Sequence, residues 1–389
     1  MATFILSNDS QFSATIWRNS WEPPSGADCL ILVQRRRGRR QCDLQTCCSS
    51  EMRVLTFLYL WYSTPSGSSG GGYSHWNHTV LPHWTEAVNN RYEGMIGTSY
   101  SPEDGNLHSP YYPAGGPYSS DDPAKLKSQM LELQSAGVDV AVASWWGRPG
   151  VSSADSQGTQ TDHIFPALLH ACKGTSVKVA FLLEPYHNRN SSNIVDDVNY
   201  IMDRYSSDSS VYTLSDRVVF YVYDSYHIPY DEWRTAVMPK IGAMGYYYGL
   251  VLDPSDVTQL IEAKFDGGFT YFASERMSWA SDSKNWPEMC DKLKTGGLDC
   301  DISVGFGYND TKIRPWNSQN TVPRSSQYFR RQIDRALGAS PTSISITSFN
   351  EWGEGTQWER CESREGYSEC QAFEAEMIAN INTRIDDEF

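Results

Sequence analysis

From residue 54 onward the apolar positions switch repeatedly between two spacings. Short runs rich in β-branched and aromatic residues alternate with longer stretches in which apolar residues recur every three to four positions. The first spacing predicts strands at Val54–Trp61, Val138–Ser144, Val177–Leu183, Val218–Tyr223, Tyr247–Leu252, Phe269–Phe272, Asp301–Phe306 and Ser343–Ser348. The second predicts helices at Pro123–Ala136, Phe165–Cys172, Ile194–Tyr205, Tyr230–Lys240, Ser255–Phe265, Trp286–Thr295 and Gln327–Leu337, with a terminal helix over Phe373–Ile385. Asp121-Asp122 before Pro123 and Gly137 after Ala136 are start and stop signals for the first of these. Eight strands separated by helices is the count of a (β/α)8 TIM-like barrel. A doubly wound open sheet shows the same alternation, but neither a GxGxxG nor a P-loop follows the first strand. The Gly-, Ser-, Pro- and His-rich stretch from Gly67 to Tyr118 predicts long loops on the first βα unit.

Residues 1–53 do not share this pattern. They mix Ser, Asn, Pro and Cys without periodicity and carry the basic run Arg35-Arg36-Arg37-Gly38-Arg39-Arg40. The expectation is an N-terminal arm, disordered or non-native, followed by a catalytic barrel domain over residues 54–389. The longest apolar runs, Leu30–Val33 and the stretch around Leu55 to Tyr62, are too short for a membrane span, which needs about 20 residues.

Composition narrows the function. Of 389 residues, 40% are hydrophobic and 20% charged, enough for a large core and against wholesale disorder. A net charge of -15 argues against a nucleic-acid partner. Aromatics reach 13%, more than a core needs, and sugar-binding clefts are one destination for the excess. None of the nine cysteines has a CxxC spacing, so a zinc or thioredoxin-like motif is not expected. Cys290/Cys300 and Cys361/Cys370 are near enough in sequence to bridge. Sequons stand at Asn77-His78-Thr79, Asn190-Ser191-Ser192 and Asn309-Asp310-Thr311.

In such a barrel the chemistry lies at the C-terminal ends of the strands. Strand one ends in Trp61-Tyr62, strand two in Ser144-Trp145-Trp146, strand three in Glu184-Pro185-Tyr186. Strand four carries Tyr221, Tyr223 and Asp224, strand six Tyr271, and strand eight runs into Asn350-Glu351-Trp352-Gly353-Glu354-Gly355. Acids and aromatics at successive strand ends describe a sugar cleft, because rings stack on pyranose faces and carboxylates bind hydroxyls. Glu351 and Glu354 are the sharpest pair: a turn at a strand end aims both into one pocket, and glycoside hydrolysis commonly uses two carboxyls. Crowding two carboxyls keeps one protonated near neutral pH. His75, His78, His83 and His108 cluster in one loop without an HExxH pattern, and are expected to serve loop packing.

The segments Tyr73-Ser74-His75-Trp76-Asn77-His78, Tyr118-Ser119-Ser120-Asp121, Glu184-Pro185-Tyr186-His187-Asn188-Arg189 and Phe220-Tyr221-Val222-Tyr223-Asp224 resemble glycoside hydrolase family 99, the glycoprotein endo-α-1,2-mannosidases. So do Ile313-Arg314-Pro315-Trp316-Asn317 and Ser348-Phe349-Asn350-Glu351-Trp352, continuing through Glu354-Gly355-Thr356-Gln357. The resemblance runs in order over roughly residues 56–385. It implies a barrel needing no metal or other cofactor and retaining cleavage inside an N-glycan arm or an α-mannan. Glu351 would act as base on the sugar 2-hydroxyl to give a 1,2-anhydro sugar, and Glu354 as general acid and then base for water. Tyr62, Trp146, Glu184, Tyr221, Tyr223, Tyr271 and Asn350 are expected around the substrate. The chain departs from the family at Gly353, where a histidine is usual. At Trp146, bacterial mannan-cleaving forms have Trp and animal forms Tyr. The resemblance also implies a Golgi-lumenal, membrane-anchored enzyme, so the N-terminal segment is expected to be incomplete or misassembled. Two alternatives stand beside this reading: a silent glycan-binding protein on the same barrel, and an endo-glycosidase of another linkage specificity.

Overall fold

The computed structural model describes residues 52–388, apart from 68–70, 151–153, 156, 273, 276 and 371–373. The N-terminal arm with Cys29, Cys42, Cys47 and Cys48 therefore falls outside the described residues, except for its last two positions.

Eight parallel strands close into a barrel: β1 (Arg53–Leu58), β2 (Val140–Trp145), β3 (Lys178–Leu183), β4 (Arg217–Val222), β5 (Gly245–Leu250), β6 (Gly267–Phe269), β7 (Asp299–Val304) and β8 (Ser343–Ile346). Each pairs with its sequence neighbour, and Thr56 of β1 opposite Ile346 of β8 completes the ring. All eight predicted strands exist, shifted by at most three residues at their ends. The shift has a physical cause: aromatic runs such as Tyr59 to Tyr62 continue past the last ladder bond, into the loops that build the cleft.

Side chains obey the two-residue period. Val54 and Leu58 of β1 face outward onto the helical layer, while Leu55, Phe57 and Tyr59 point into the barrel. The interior is packed with rings: Phe57 lies 5.1 Å from Tyr271 and 6.0 Å from both Tyr221 and Phe269. Gly267 makes room for one of them, since a Cβ there would lie 2.4 Å from the Tyr248 ring. The barrel is thus a filled core and not a pore, and a ligand must bind on its rim.

Helices α1 (Pro123–Ser135), α2 (Phe165–Cys172) and α3 (Ser191–Tyr205) follow β1 to β3. Asp122 caps α1 by accepting from Ala124 N at 2.9 Å, and Asn190 caps α3 through Ser192 N and Asn193 N. The sequence pattern predicts one helix after β4, but residues 230–241 form three pieces: a short α-turn, a π-turn over Trp233–Val237, and a second α-turn. Pro239 explains the break, because its nitrogen carries no hydrogen for the helical ladder. Helices α4 (Pro254–Ala263), α5 (Trp286–Thr295), α6 (Ser326–Gly338) and α7 (Glu374–Glu388) complete the layer. Disulfides Cys290–Cys300 and Cys361–Cys370 are formed, the first joining α5 to β7. The second staples the loop after β8, whose Cys361–Glu362 pairs antiparallel with Tyr112–Pro113 of the first βα loop.

Candidate active site

The loop after β8 is held from below before any of its acids reach solvent. Asn350 accepts from Tyr59 N at 2.7 Å and returns a bond from Nδ2 to Tyr59 O at 2.8 Å, tying the motif to the end of β1. Tyr62 donates to Asn350 O at 2.8 Å and its oxygen accepts from Trp352 N at 3.1 Å. Ser348 Oγ accepts the Glu351 N–H at 2.8 Å. On the opposite wall Arg189 clamps β3 to β4, donating to Leu183 O and Tyr223 O. These bonds hold Glu351, Glu354, Glu184 and Tyr223 in place around a common opening.

That opening is a cavity of about 250 Å³, open to solvent on the rim of the barrel. Glu351, Glu354, Glu184, Trp146, Tyr223 and Tyr271 line it, so six of the nine residues expected from the sequence meet there. Tyr221 does not. It lies 1% exposed in the barrel interior, stacked on Tyr248 and donating to Asp301 at 2.7 Å, which corrects the expectation that it contacts substrate. It stands two residues before Tyr223, on the same face of β4 but below the end of the strand. Tyr62 and Asn350 do not line this cavity, and their polar atoms bond within the framework just described. Tyr62 lines a second, larger groove with Trp61, Tyr73, Asn77, Gln157 and His163.

Trp61 and three histidines also line the cavity, beyond the nine residues expected around the substrate. Trp61 stacks between Tyr59 at 4.5 Å and His75 at 4.3 Å. His75 is paired with Asp155, and its φ of 58° marks the tight turn that brings it in. His75, His78 and His108 form a row of rings 5.9 and 6.0 Å apart along one wall. The reading of these three as loop packing is therefore incomplete: they are packed, but against the cavity. His83 stays outside, against Trp84 and Trp316. The hidden signal was the length of the first βα segment, which is long enough to cross the barrel mouth and meet the loop after β7.

The electrostatics follow from burial. Glu351 is pushed well above the ordinary carboxylate range, first by desolvation and then by the nearby Glu354. Glu354 is raised to about 7 by burial, against the pull of Arg314, whose Nη1 lies 3.6 Å from its Oε1. Glu184 rises to about 8 through burial, although Ser144 donates to it at 2.8 Å. Arg314 is itself held by the buried Asp310 at 3.1 Å. Five polar atoms around the cavity have no hydrogen-bond partner: Trp61 Nε1, Trp146 Nε1, His108 Nδ1, Glu351 Oε2 and Glu354 Oε2. Buried polar atoms are rarely left unpaired. Donors and acceptors set among flat aromatic faces fit a polyhydroxylated ring. Among the described residues no group of three or more His, Cys, Asp or Glu side chains is arranged to hold a metal.

Comparison with known proteins agrees with this geometry. The profile of glycosyl hydrolase family 99 matches residues 50–372. The chain is 36% identical over 318 residues to a mouse protein named glycoprotein endo-alpha-1,2-mannosidase, covering 78% of this chain and 67% of that one. It is 37% identical over 333 residues to the Xenopus laevis protein of the same name, covering 82% and 72%. A solved family 99 endo-alpha-mannosidase from Bacteroides thetaiotaomicron superposes with a TM-score of 0.77 at 29% identity, over 86% of this chain and 98% of that one.

Proposed function

The chain belongs to glycoside hydrolase family 99 and is an endo-α-mannosidase-type glycoside hydrolase, and from that premise we propose retaining endo-α-1,2-mannosidase action inside an N-glycan arm or an α-mannan. The observation that carries the proposal is the buried pair Glu351 and Glu354, facing one cavity with unpaired polar atoms on both. The larger groove shares Trp61 with that cavity. Two openings that share a lining residue support an enzyme that holds sugars on both sides of the bond. Catalysis is assigned to the 54–389 domain and none of it to the 1–53 arm.

In the proposed sequence Glu351 takes the proton of the sugar 2-hydroxyl as that oxygen attacks the anomeric carbon. The bond to the leaving sugar breaks as Glu354 gives its proton to the departing oxygen. Water then attacks the 1,2-anhydro sugar, Glu354 takes the water proton, and Glu351 returns its own to O2. Glu354 at about 7 is protonated over the working range of an acid catalyst. The Arg314 contact favours a second assignment, because a guanidinium 3.6 Å away stabilises Glu354 as the anion and leaves the proton on Glu351.

Glu351→Gln and Glu354→Gln distinguish the two. Each should lose roughly 10²–10⁴-fold on a natural glycan while keeping the fold. On a mannosyl fluoride, whose leaving group departs without protonation, Glu354→Gln regains much of its cleavage under the first assignment and Glu351→Gln does so under the second. If neither variant loses activity, the pair is not the catalytic centre. Release of a disaccharide from glucosylated high-mannose glycan identifies the linkage, and binding without release leaves only the silent glycan-binding alternative. Golgi-lumenal action is proposed with it, supported by two disulfides, which persist in oxidising compartments. No helix among the described residues is long and apolar enough to cross a membrane. Immunolocalisation of the full chain outside the secretory pathway would remove the Golgi assignment.

A further inference from the structure

The loop after β8 and the first βα segment meet at Gly353 and His108. A Cβ at position 353 would lie 2.5 Å from Ile313 Cδ1, 2.7 Å from His108 Nε2 and 2.9 Å from His108 Cδ2. No side chain fits there while the imidazole is in place, so the glycine is the notch that receives the ring. His108 is 2% exposed, and its backbone N–H donates to Trp76 O at 3.2 Å. Nδ1 is left without a hydrogen-bond partner. The ring lines the same cavity as Glu354, one residue along the chain from its notch. Burial, with His78 and His75 on the same wall, drives its basicity well below that of free imidazole. A neutral ring has one nitrogen that donates and one that accepts, the complement of a hydroxyl.

We propose that His108 is a substrate-contacting, specificity-determining residue: seated in the notch left by Gly353, it offers an uncommitted ring nitrogen to one hydroxyl of the sugar bound beside Glu354. The inference rests on the glycosidase reading above and deepens it. It explains why a loop histidine is buried with an unpaired nitrogen, a state that is costly unless a ligand completes it. It also makes the glycine of the Glu-Trp-Gly-Glu turn a partner of a residue 245 positions earlier in the chain.

The test uses His108→Phe, which keeps the ring volume over Gly353 and removes both nitrogens, and His108→Asn, which keeps a polar group. Substrates are a cleavable α-1,2-mannoside and its single-deoxy analogues in the sugar that enters the cavity. His108→Phe should lower kcat/KM about 5- to 100-fold on the parent, mostly through KM. The loss should disappear on the one analogue that lacks the contacted hydroxyl, because wild type has then lost the same bond. His108→Asn should recover part of it. Gly353→Ala should mimic the loss by displacing the ring, and Gly353→Ala should cost nothing further in a His108→Ala background. A Phe variant within twofold of wild type on the parent overturns the proposal, and so does an equal loss on every analogue, which is the mark of packing alone. If His108→Phe does not fold, the His108 ring-nitrogen resonances of the unmodified protein serve instead. They should shift when the mannoside product is added, and their failure to move overturns the proposal. Absence of any turnover by wild type is a different outcome, and defeats the glycosidase reading itself.

Discussion

Replacing Arg314 by methionine tests the electrostatics of the glutamate pair directly. The guanidinium lies 3.6 Å from Glu354 Oε1 and 3.1 Å from Asp310 Oδ2, with its side chain 32% exposed. At an effective dielectric near 20, two unit charges about 4 Å apart interact by about 4 kcal/mol. Partial exposure screens this, and an opposite charge at such a distance moves a carboxyl by about 1–3 units. Removing the cation should therefore raise Glu354 from about 7 to roughly 8 or 9. Asp310 keeps bonds from Tyr308 at 2.9 Å and from Asn317 at 3.0 and 3.1 Å, so the loop remains supported. The assay is a pH–rate profile of kcat/KM on a natural glycan. If Glu354 is the acid, it stays protonated to higher pH, and the alkaline limb moves up by about one to two units. Glu351 also feels Arg314, more weakly, so the acid limb should follow by less. The pair titrates jointly, and the limbs report the pair. A larger movement of the acid limb would reverse the roles of Glu351 and Glu354. Limbs that both stay within about 0.3 unit would refute the electrostatic account altogether.

Two tyrosines with similar sequence credentials should behave differently. Tyr221→Phe removes the bond to Asp301 and should lower stability by about 1–3 kcal/mol in chemical denaturation while leaving kcat/KM within about twofold. Tyr62→Phe breaks the links to Asn350 O and Trp352 N and should cut kcat about 10-fold or more, with the smaller effect on KM, because the lost hydroxyl is the one that holds the glutamate turn while the ring still lines the groove. Stability should also fall as pH rises between about 5 and 8, because Glu184, raised to about 8 in the fold, binds its proton more tightly there than in the unfolded chain. Its contribution is complete at pH below about 4 and is lost as pH passes through the folded value. Glu184→Gln should flatten that slope in urea titrations at pH 5.5, 7 and 8.5, and an unchanged slope would show that Glu184 is not the group responsible.

The barrel was legible because its strands and helices are written in local periods. Each of the eight strands shows in the sequence as a short β-branched or aromatic run, and Pro123 and Gly137 bracket α1 where the chemistry of caps places them. Glu351, Glu354, Glu184 and Trp146 could be found for the same reason: a residue at the C-terminal end of a barrel strand has little choice about where it points. What failed was anything set by depth or by loops. Tyr221 and Tyr223 are two residues apart and share a face, yet one ends under the floor and the other on the wall, because the height at which the interior rings close is set by packing across the barrel. The order of residues along a strand is local information, whereas the level of the core is a property of all eight strands together.

The sequence by itself determined the alternation, the closed architecture it implies, the acids at the strand ends and the family likeness they carry. Only the tertiary structure decided that Asn350 and Tyr62 hold the turn, that Arg314 and Glu354 share a charge, and that His108 fills the space over Gly353. The contacts of Asn350 and Tyr62 join residues 288 to 291 positions apart. No periodicity records such a separation, because it is fixed by the pairing of β1 with β8 that closes the barrel. Side-chain volume and hydrogen bonding then complete the site, and both act only once the chain has closed on itself.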